Sequence, residues 1–200
     1  MPRGATVVGT AVSRRVAAVG TKISLRILDI NNNVVYTATG NKVGVWNQGQ
    51  ITSTAPVADL SLLSVLDLGD NAITSLAGLQ GLVSVGGGFQ VRECGALAAV
   101  GQPMALQSVG DYFYFTNDPV LLDMSGFGVL QSVGAELVVS DNAVLATMGT
   151  FPALGTVGTD FFVQNNPQLP TCQPVTVLQQ LGGVPGSTII SGNLPDACGG

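Results

Sequence analysis

Leu130-Gln131-Ser132-Val133-Gly134-Ala135-Glu136-Leu137-Val138-Val139-Ser140-Asp141-Asn142 holds one full copy of a motif that recurs along the chain. A Ser-Val-Gly triplet leads into a short strand of alternating residues, and an Asn closes it. The triplet returns as Ser84-Val85-Gly86, Ser108-Val109-Gly110 and Thr156-Val157-Gly158, each 24 residues from the next. A period in the twenties with one strand-sized segment per period predicts a parallel solenoid, in which each turn buries its apolar face only against its neighbours.

Aligning the copies on their closing residue gives Asn71, Cys94, Asp118, Asn142, Asn166 and Asn193, at intervals of 23, 24, 24, 24 and 27. Five and three residues earlier stand Leu66 and Leu68, Phe89 and Val91, Phe113 and Phe115, Leu137 and Val139, Phe161 and Val163, then Thr188 and Ile190. Period two makes these the inward positions of a strand. Leu97, Leu121, Leu145 and Leu169 follow the closing residue by three. Val100, Met124 and Met148, then Leu82, Leu106, Leu130 and Leu154, complete the apolar columns of one continuous core.

The Leu130–Asn142 phrase, echoed by Asp160-Phe161-Phe162-Val163-Gln164-Asn165-Asn166-Pro167, resembles the receptor L-domain type of leucine-rich repeat. That family includes ligand-binding domains of insulin and epidermal growth factor receptors, fungal cell-wall proteins and secreted bacterial proteins. Residues 60–76, with Leu63, Leu66, Leu68, Asn71, Ile73 and Leu76, look more like an ordinary leucine-rich repeat. The resemblance covers roughly residues 56–198 and implies a mainly β fold, a parallel leucine-rich-repeat-type β-solenoid with a small β cap at its N-terminal end. It also implies that the Asn amide is buried where the chain leaves the strand and satisfies backbone groups there, a slot that Cys94 fills as a structural residue. No binding residue of the receptor members carries over, because nothing outside the core-forming positions matches.

Two hundred residues suffice for one principal domain. The expected division is 1–52, an N-terminal arm and β-hairpin, and 53–200, the solenoid with its C-terminal cap. Charged residues make up 10% of the chain, against about 25% in average domains, and mean hydropathy is +0.45. Yet no apolar run approaches the roughly 20 residues that span a bilayer, so no membrane span is expected. The net charge of −5 argues against nucleic acid as a partner, and beyond residue 42 only Arg92 is basic.

Arg3, Arg14, Arg15, Lys22 and Arg26 lie in an opening stretch that has no acid before Asp29. An organelle-targeting leader is one reading, but Gly and Val interrupt any amphipathic helix. A secretory signal fits less well, because Arg14-Arg15 follows the short apolar Ala5–Val12 run. From Lys22, the alternation Ile23, Leu25, Ile27, the Asn31-Asn32-Asn33 turn and the return through Val34–Thr37 predict a β-hairpin. A third strand is expected over Val43-Gly44-Val45-Trp46, before a Gly/Thr/Pro linker at Gly49–Pro56. The favoured role of this segment is to cover the N-terminal end of the solenoid, with an independent binding module as the alternative.

At the other end, Cys172 occupies the column of Val100, Met124 and Met148, and Cys198 follows the Asn193-Leu194-Pro195 turn. Secreted bacterial members of the resembled family often carry such a terminal pair, which implies a Cys172–Cys198 disulfide and an oxidising, secreted or cell-surface location. The alternative is two unrelated thiols. A helix-like stretch from Pro174 to Leu181 accounts for the longer last interval.

The chain has no His, which removes the commonest general base and metal ligand. Asp29-x-Asn31-x-Asn33 imitates an EF-hand opening but has Val34 where Gly is required and Gly40 where a bidentate Glu belongs. Gly86-Gly87-Gly88 leads into a strand and not a helix, so it is no phosphate loop. Neither a metal nor a cofactor is expected. Glu136 and Asp160 sit at equivalent positions on adjacent turns, about 5 Å apart by strand spacing. A Ca²⁺ site, or with Arg92 a carbohydrate-active site, is the less favoured reading of this pair; the bland one is a solvated rim shared with Asp70, Glu93 and Asp141.

The outward column at mid-strand is more suggestive: Asp67, Gln90, Tyr114, Val138, Phe162 and Ile189. Tyr112, Tyr114, Val138, Phe162 and Ile189 are the candidate partner-binding residues, an apolar set on an open sheet face. Cross-strand stacking, or coverage by the N-terminal segment, is the structural alternative. The expected function is non-enzymatic recognition or assembly through protein–protein contact, by self-assembly or with a surface partner. A glycan- or receptor-binding module is the alternative.

Overall fold

The computed structural model of the chain describes residues 65–76, 79–101 and 103–196 in full, together with the backbone of five strands between residues 5 and 45. The linker at 49–56, Leu63, the Asp29/Asn31/Asn33 turn, the basic leader positions Arg3, Arg14, Arg15 and Lys22, and Cys198 lie outside the described residues.

The chain is a parallel β-solenoid. Its principal strands are β6 (Leu66–Asp67), β8 (Phe89–Arg92), β10 (Phe113–Thr116), β12 (Leu137–Ser140), β14 (Phe161–Gln164) and β15 (Thr188–Ser191). Each pairs in parallel with the next, 23 to 27 residues on: Phe89 aligns with Phe113, Phe113 with Leu137, Leu137 with Phe161, and Phe161 with Thr188. The two-residue strands β7 (Ser84–Val85), β9 (Ser108–Val109), β11 (Ser132–Val133) and β13 (Thr156–Val157) stack into a second parallel sheet on another side. Single bridges from Ala99 to Asp123 and from Asp123 to Thr147 join successive turns beyond the strand exits.

The Ser-Val-Gly beat has a steric cause. The amides of Gly110, Gly134 and Gly158 donate to the carbonyls of Val85, Val109 and Val133 on the turn before. A Cβ on any of these glycines would overlap the carbonyl oxygen of Gly86, Gly110 or Gly134 respectively. Successive turns approach so closely here that only Gly fits.

Every expected inward residue from Leu66 to Val163 is buried, as are the leucine and methionine columns. The interior also holds a column absent from that expectation, Met104, Phe127 and Phe151. Phe127 meets Phe113 edge-on at 4.9 Å between ring centres, and Phe89 stacks on Phe113 at 5.5 Å. These aromatic contacts lock neighbouring turns together in addition to the area they bury. The last strand departs from the pattern: Thr188 is exposed and Ile190 only half-buried, because β15 is the edge of the seven-stranded sheet and no further turn packs on it among the described residues.

Helix α1 (Cys172–Leu181) replaces a loop in the final turn, starting two residues before the expected Pro174. Pro174 is tolerated because it lies in the first turn, where its missing N–H has no helical partner. Gly182, left-handed at φ 70°, ends the helix, and its amide donates to the Gln179 carbonyl. Because a helix cannot continue the turn-to-turn backbone ladder, two side chains do so. Gln173 Oε1 accepts from the Met148 amide at 3.0 Å, and Gln180 Nε2 donates to the carbonyls of Phe151 and Leu154.

In the N-terminal region the expected hairpin is present as β3 (Ser24–Leu28) and β4 (Val34–Thr39), paired antiparallel. It belongs to a four-stranded sheet with β1 (Ala5–Val8) and β2 (Ala11–Ser13), in the stretch expected to form an N-terminal arm. The expected third strand is β5 (Gly44–Val45), which does not join the hairpin but pairs in parallel with β6 and so extends the solenoid's principal sheet.

Gly134→Ala is expected to destabilise the protein by about 1–3 kcal/mol, the usual cost of overpacking. Gly128→Ala, where a Cβ would meet nothing within 4 Å, should change stability by less than about 0.5 kcal/mol. Thermal denaturation of the two variants beside the parent checks the difference.

Candidate recognition face

The principal sheet turns one side outward, and its middle carries the residues singled out from sequence. Period two places Gln90, Tyr114, Val138 and Phe162 in register across β8, β10, β12 and β14, with Ile189 next on β15. Tyr112, Tyr114, Val138 and Phe162 are half-buried, and Ile189 is 40% exposed. Cross-strand packing therefore covers part of each ring and branched side chain.

Tyr112 does not stand upright on this face. Its ring lies back across the preceding turn onto Gly88, where a Cβ would collide with it, and it packs against Tyr114 at 4.6 Å between centres. Arg92 repeats the manoeuvre one turn earlier by lying over Gly69. Its guanidinium sits 3.7 Å from Asp67 and from Asp70, and 4.0 Å from Glu93. Asp67 is buried beneath it and also accepts the Gly69 amide at 2.8 Å. Arg92 is thus fixed by carboxylates on three sides.

The Tyr114 hydroxyl donates to Glu136 Oε2. Burial, followed by this carboxylate, holds the Tyr114 phenol well above the ordinary tyrosine range; burial likewise raises Tyr112, with Asp67 next. Glu136 therefore reaches back to the preceding turn. Asp160, its counterpart, reaches forward and accepts the Ser187 amide at 2.6 Å. Both members of the expected acidic pair are engaged, with partners on opposite sides, and do not converge on a shared point.

The rim at the strand exits has a backbone explanation. Asp70, Glu93, Asn117, Asp141 and Asn165 all have φ between 55° and 60°. Asp and Asn adopt this left-handed conformation more readily than other non-glycine residues, which accounts for most of the column. Glu93 is the unusual member. The Asp70, Glu93 and Asp141 carboxylates stand where the turn needs a short polar residue, and Asn165 Nδ2 donates to Asp141 across the stack.

Sequence reasoning missed the flank beyond that rim. Val120, Leu122 and Val144 are exposed by 41, 54 and 39% and lie on adjacent turns. Ala98 and Ala146 are exposed beside them. These residues share the 24-residue spacing, two and four places after the closing residue, outside the strand columns. A groove of about 830 Å³ runs between α1 and the loops around Ser125–Gly128 and Thr147–Pro152; none of the described residues that line it is charged. Its two glutamines already bond the backbone, as described above.

At the C-terminal end, Cys172 is half-buried at the start of α1. The returning chain runs alongside it: Pro170 bridges Leu194, and the Cys172 amide donates to Asp196 Oδ1 at 3.0 Å. Cys94 is a buried free thiol. Among the described residues no cluster of His, Cys, Asp or Glu could hold a metal ion, and no helix is long and apolar enough to cross a membrane.

Compared with protein-family models, curated proteins and solved structures, the chain matches none.

Tyr114 should ionise at higher pH than an ordinary tyrosine, and Glu136→Gln should lower that pH by removing the negative charge beside the phenol. Spectrophotometric titration of the tyrosinate absorbance, parent against variant, checks the direction.

Proposed function

We propose that this β-solenoid is a non-enzymatic recognition or assembly protein that works through the outward face of its principal sheet. The observation that carries the reading is the packed Tyr112–Tyr114 pair, held over Gly88 and framed by carboxylates on a face otherwise made of Val138, Phe162 and Ile189. Aromatic side chains already held in place lose little freedom on binding, which is why they anchor interfaces. The surrounding acids favour a partner surface that brings basic side chains, which tyrosine faces also attract.

Our reading of the chain as a leucine-rich-repeat solenoid of the receptor L-domain type rests on the 24-residue repeat and the buried Asn column. On that reading the protein works outside the cell or at its surface. A Cys172–Cys198 disulfide belongs to the same proposal, supported by the return of the chain to Asp196 beside Cys172. The engagement of Glu136 and Asp160 with partners on opposite sides weighs against the carbohydrate-active alternative. A glycan is the second candidate ligand, favoured by the same tyrosines, whose faces suit sugar rings and whose neighbouring carboxylates accept hydroxyl hydrogen bonds.

Size-exclusion chromatography with light scattering, run on the parent chain and on Tyr114→Ala/Phe162→Ala, tests the proposal. The expected result is a parent oligomer that the double variant loses while keeping its melting temperature within a few degrees. A monomer in both samples removes self-assembly; binding of a glycan panel by the parent and not by the variant then supports the second candidate.

A further inference from the structure

The column of closing residues forms a hydrogen-bonded ladder inside the solenoid, and one rung of it, Asp118, puts an acceptor where the asparagines put a donor. Asn142, Asn166 and Asn193 perform the same two tasks. The Oδ1 of each accepts the backbone amide of the rung before it: Asp118 to Asn142 at 2.9 Å, Asn142 to Asn166 at 3.1 Å, Asn166 to Asn193 at 3.2 Å. The Nδ2 of each donates to an inward strand carbonyl of the preceding turn, that of Phe115, Val139 or Val163.

Asp118 keeps the first task, since its Oδ1 accepts the Cys94 amide at 2.8 Å. Its Oδ2 takes the place of Nδ2, fully buried and without a hydrogen-bond partner. The turn-to-turn register makes Val91 the counterpart of Phe115 and Val139. An ionised carboxylate therefore sets an acceptor against an acceptor in a dry interior, whereas a neutral acid supplies the missing donor.

We propose that Asp118 is a proton-dependent rung: as the neutral acid it donates through Oδ2 to the Val91 carbonyl, and on ionising it loosens the joint between the Cys94 turn and its own.

The surroundings agree. Burial pushes the Asp118 carboxyl up to about 7, against the pull of the Cys94 amide and with help from Glu93. Cys94, on the preceding turn, is pushed up to about 12 by burial and then by Asp118. It remains a thiol that donates to the Leu68 carbonyl at 3.2 Å, a second non-amide rung beside the first. On the following turn the facing groups are neutral Asn142 and the rim residue Asp141. Arg92 is the one basic residue beyond residue 42, and Asp67, Asp70 and Glu93 already engage it. Among the described residues no cation compensates an Asp118 charge.

The folded chain holds this proton up to about 7, while an unfolded Asp releases it near its ordinary value of about 3.9. The rung's contribution is complete at acid pH, falls as pH rises between those values, and is lost above the upper one.

Two measurements on the full chain test this. The Asp118 side-chain carboxyl carbon should titrate near neutrality in nuclear magnetic resonance spectra of the folded parent. In Asp118→Asn, which restores the amide, the melting temperature should rise by several degrees above neutral pH and change little at acid pH. A carboxyl resonance that titrates in the ordinary acid range overturns the proposal. So does a variant whose melting temperature falls as steeply between about pH 4 and 7 as the parent's.

Discussion

The buried ladder of closing residues is the interaction on which the rest of the solenoid depends. Where the chain leaves each principal strand it bends through a left-handed residue, and this bend turns backbone amides and carbonyls toward the buried interior. Unpaired groups there would each cost roughly 1–3 kcal/mol. One side chain per turn answers the demand, accepting from the turn before and donating to its strand. Because the side chain spans two turns, it also sets their separation and register. The glycine column does the same on the second sheet, where close approach admits no side chain. Between these two seams the apolar columns fill what is left, with Phe113 in contact with Phe89, Phe127 and Phe151.

Surface properties follow from this division of labour. Strand positions alternate between a fully committed interior and an outward face, so only the outward column is available for recognition. On that face large side chains rest in notches left by glycines on the preceding turn, as Tyr112 does over Gly88 and Arg92 over Gly69. The result is a face whose prominent groups are held in place by contacts with one another. Its ends differ in kind. At the N-terminal end β5 adds a short strand to β6, and at the C-terminal end α1 uses Gln173 and Gln180 to satisfy the backbone that another turn would have met.

Much of this was legible in the sequence, because a solenoid writes the same environment into the chain once per turn. The leucine columns, the inward strand residues and the closing Asn positions could be read directly from their spacing. What could not be read was whatever depends on direction. Equivalent positions suggested that Glu136 and Asp160 would converge, yet one bonds backward to Tyr114 and the other forward to Ser187. The acids at Asp70, Glu93 and Asp141 read as a solvated rim, but their spacing did not show that they occupy a left-handed turn position shared with Asn117 and Asn165. Local alternation revealed β3 and β4 but not β1 and β2, whose Gly- and Arg-interrupted stretches carry no clear period. Asp118 reads as a conservative stand-in for Asn until its second oxygen is placed against a carbonyl.

The claim that the ladder holds the stack together is most directly tested by native-state amide hydrogen exchange, resolved by residue. The amides of Cys94, Asp118, Asn142 and Asn166 each donate to the next rung. They should be among the slowest in the chain and exchange only with global unfolding. Exchange at the rate of the exposed loop amides, while the strand amides remain protected, would show that the turns are held by their sheets alone and would contradict the account.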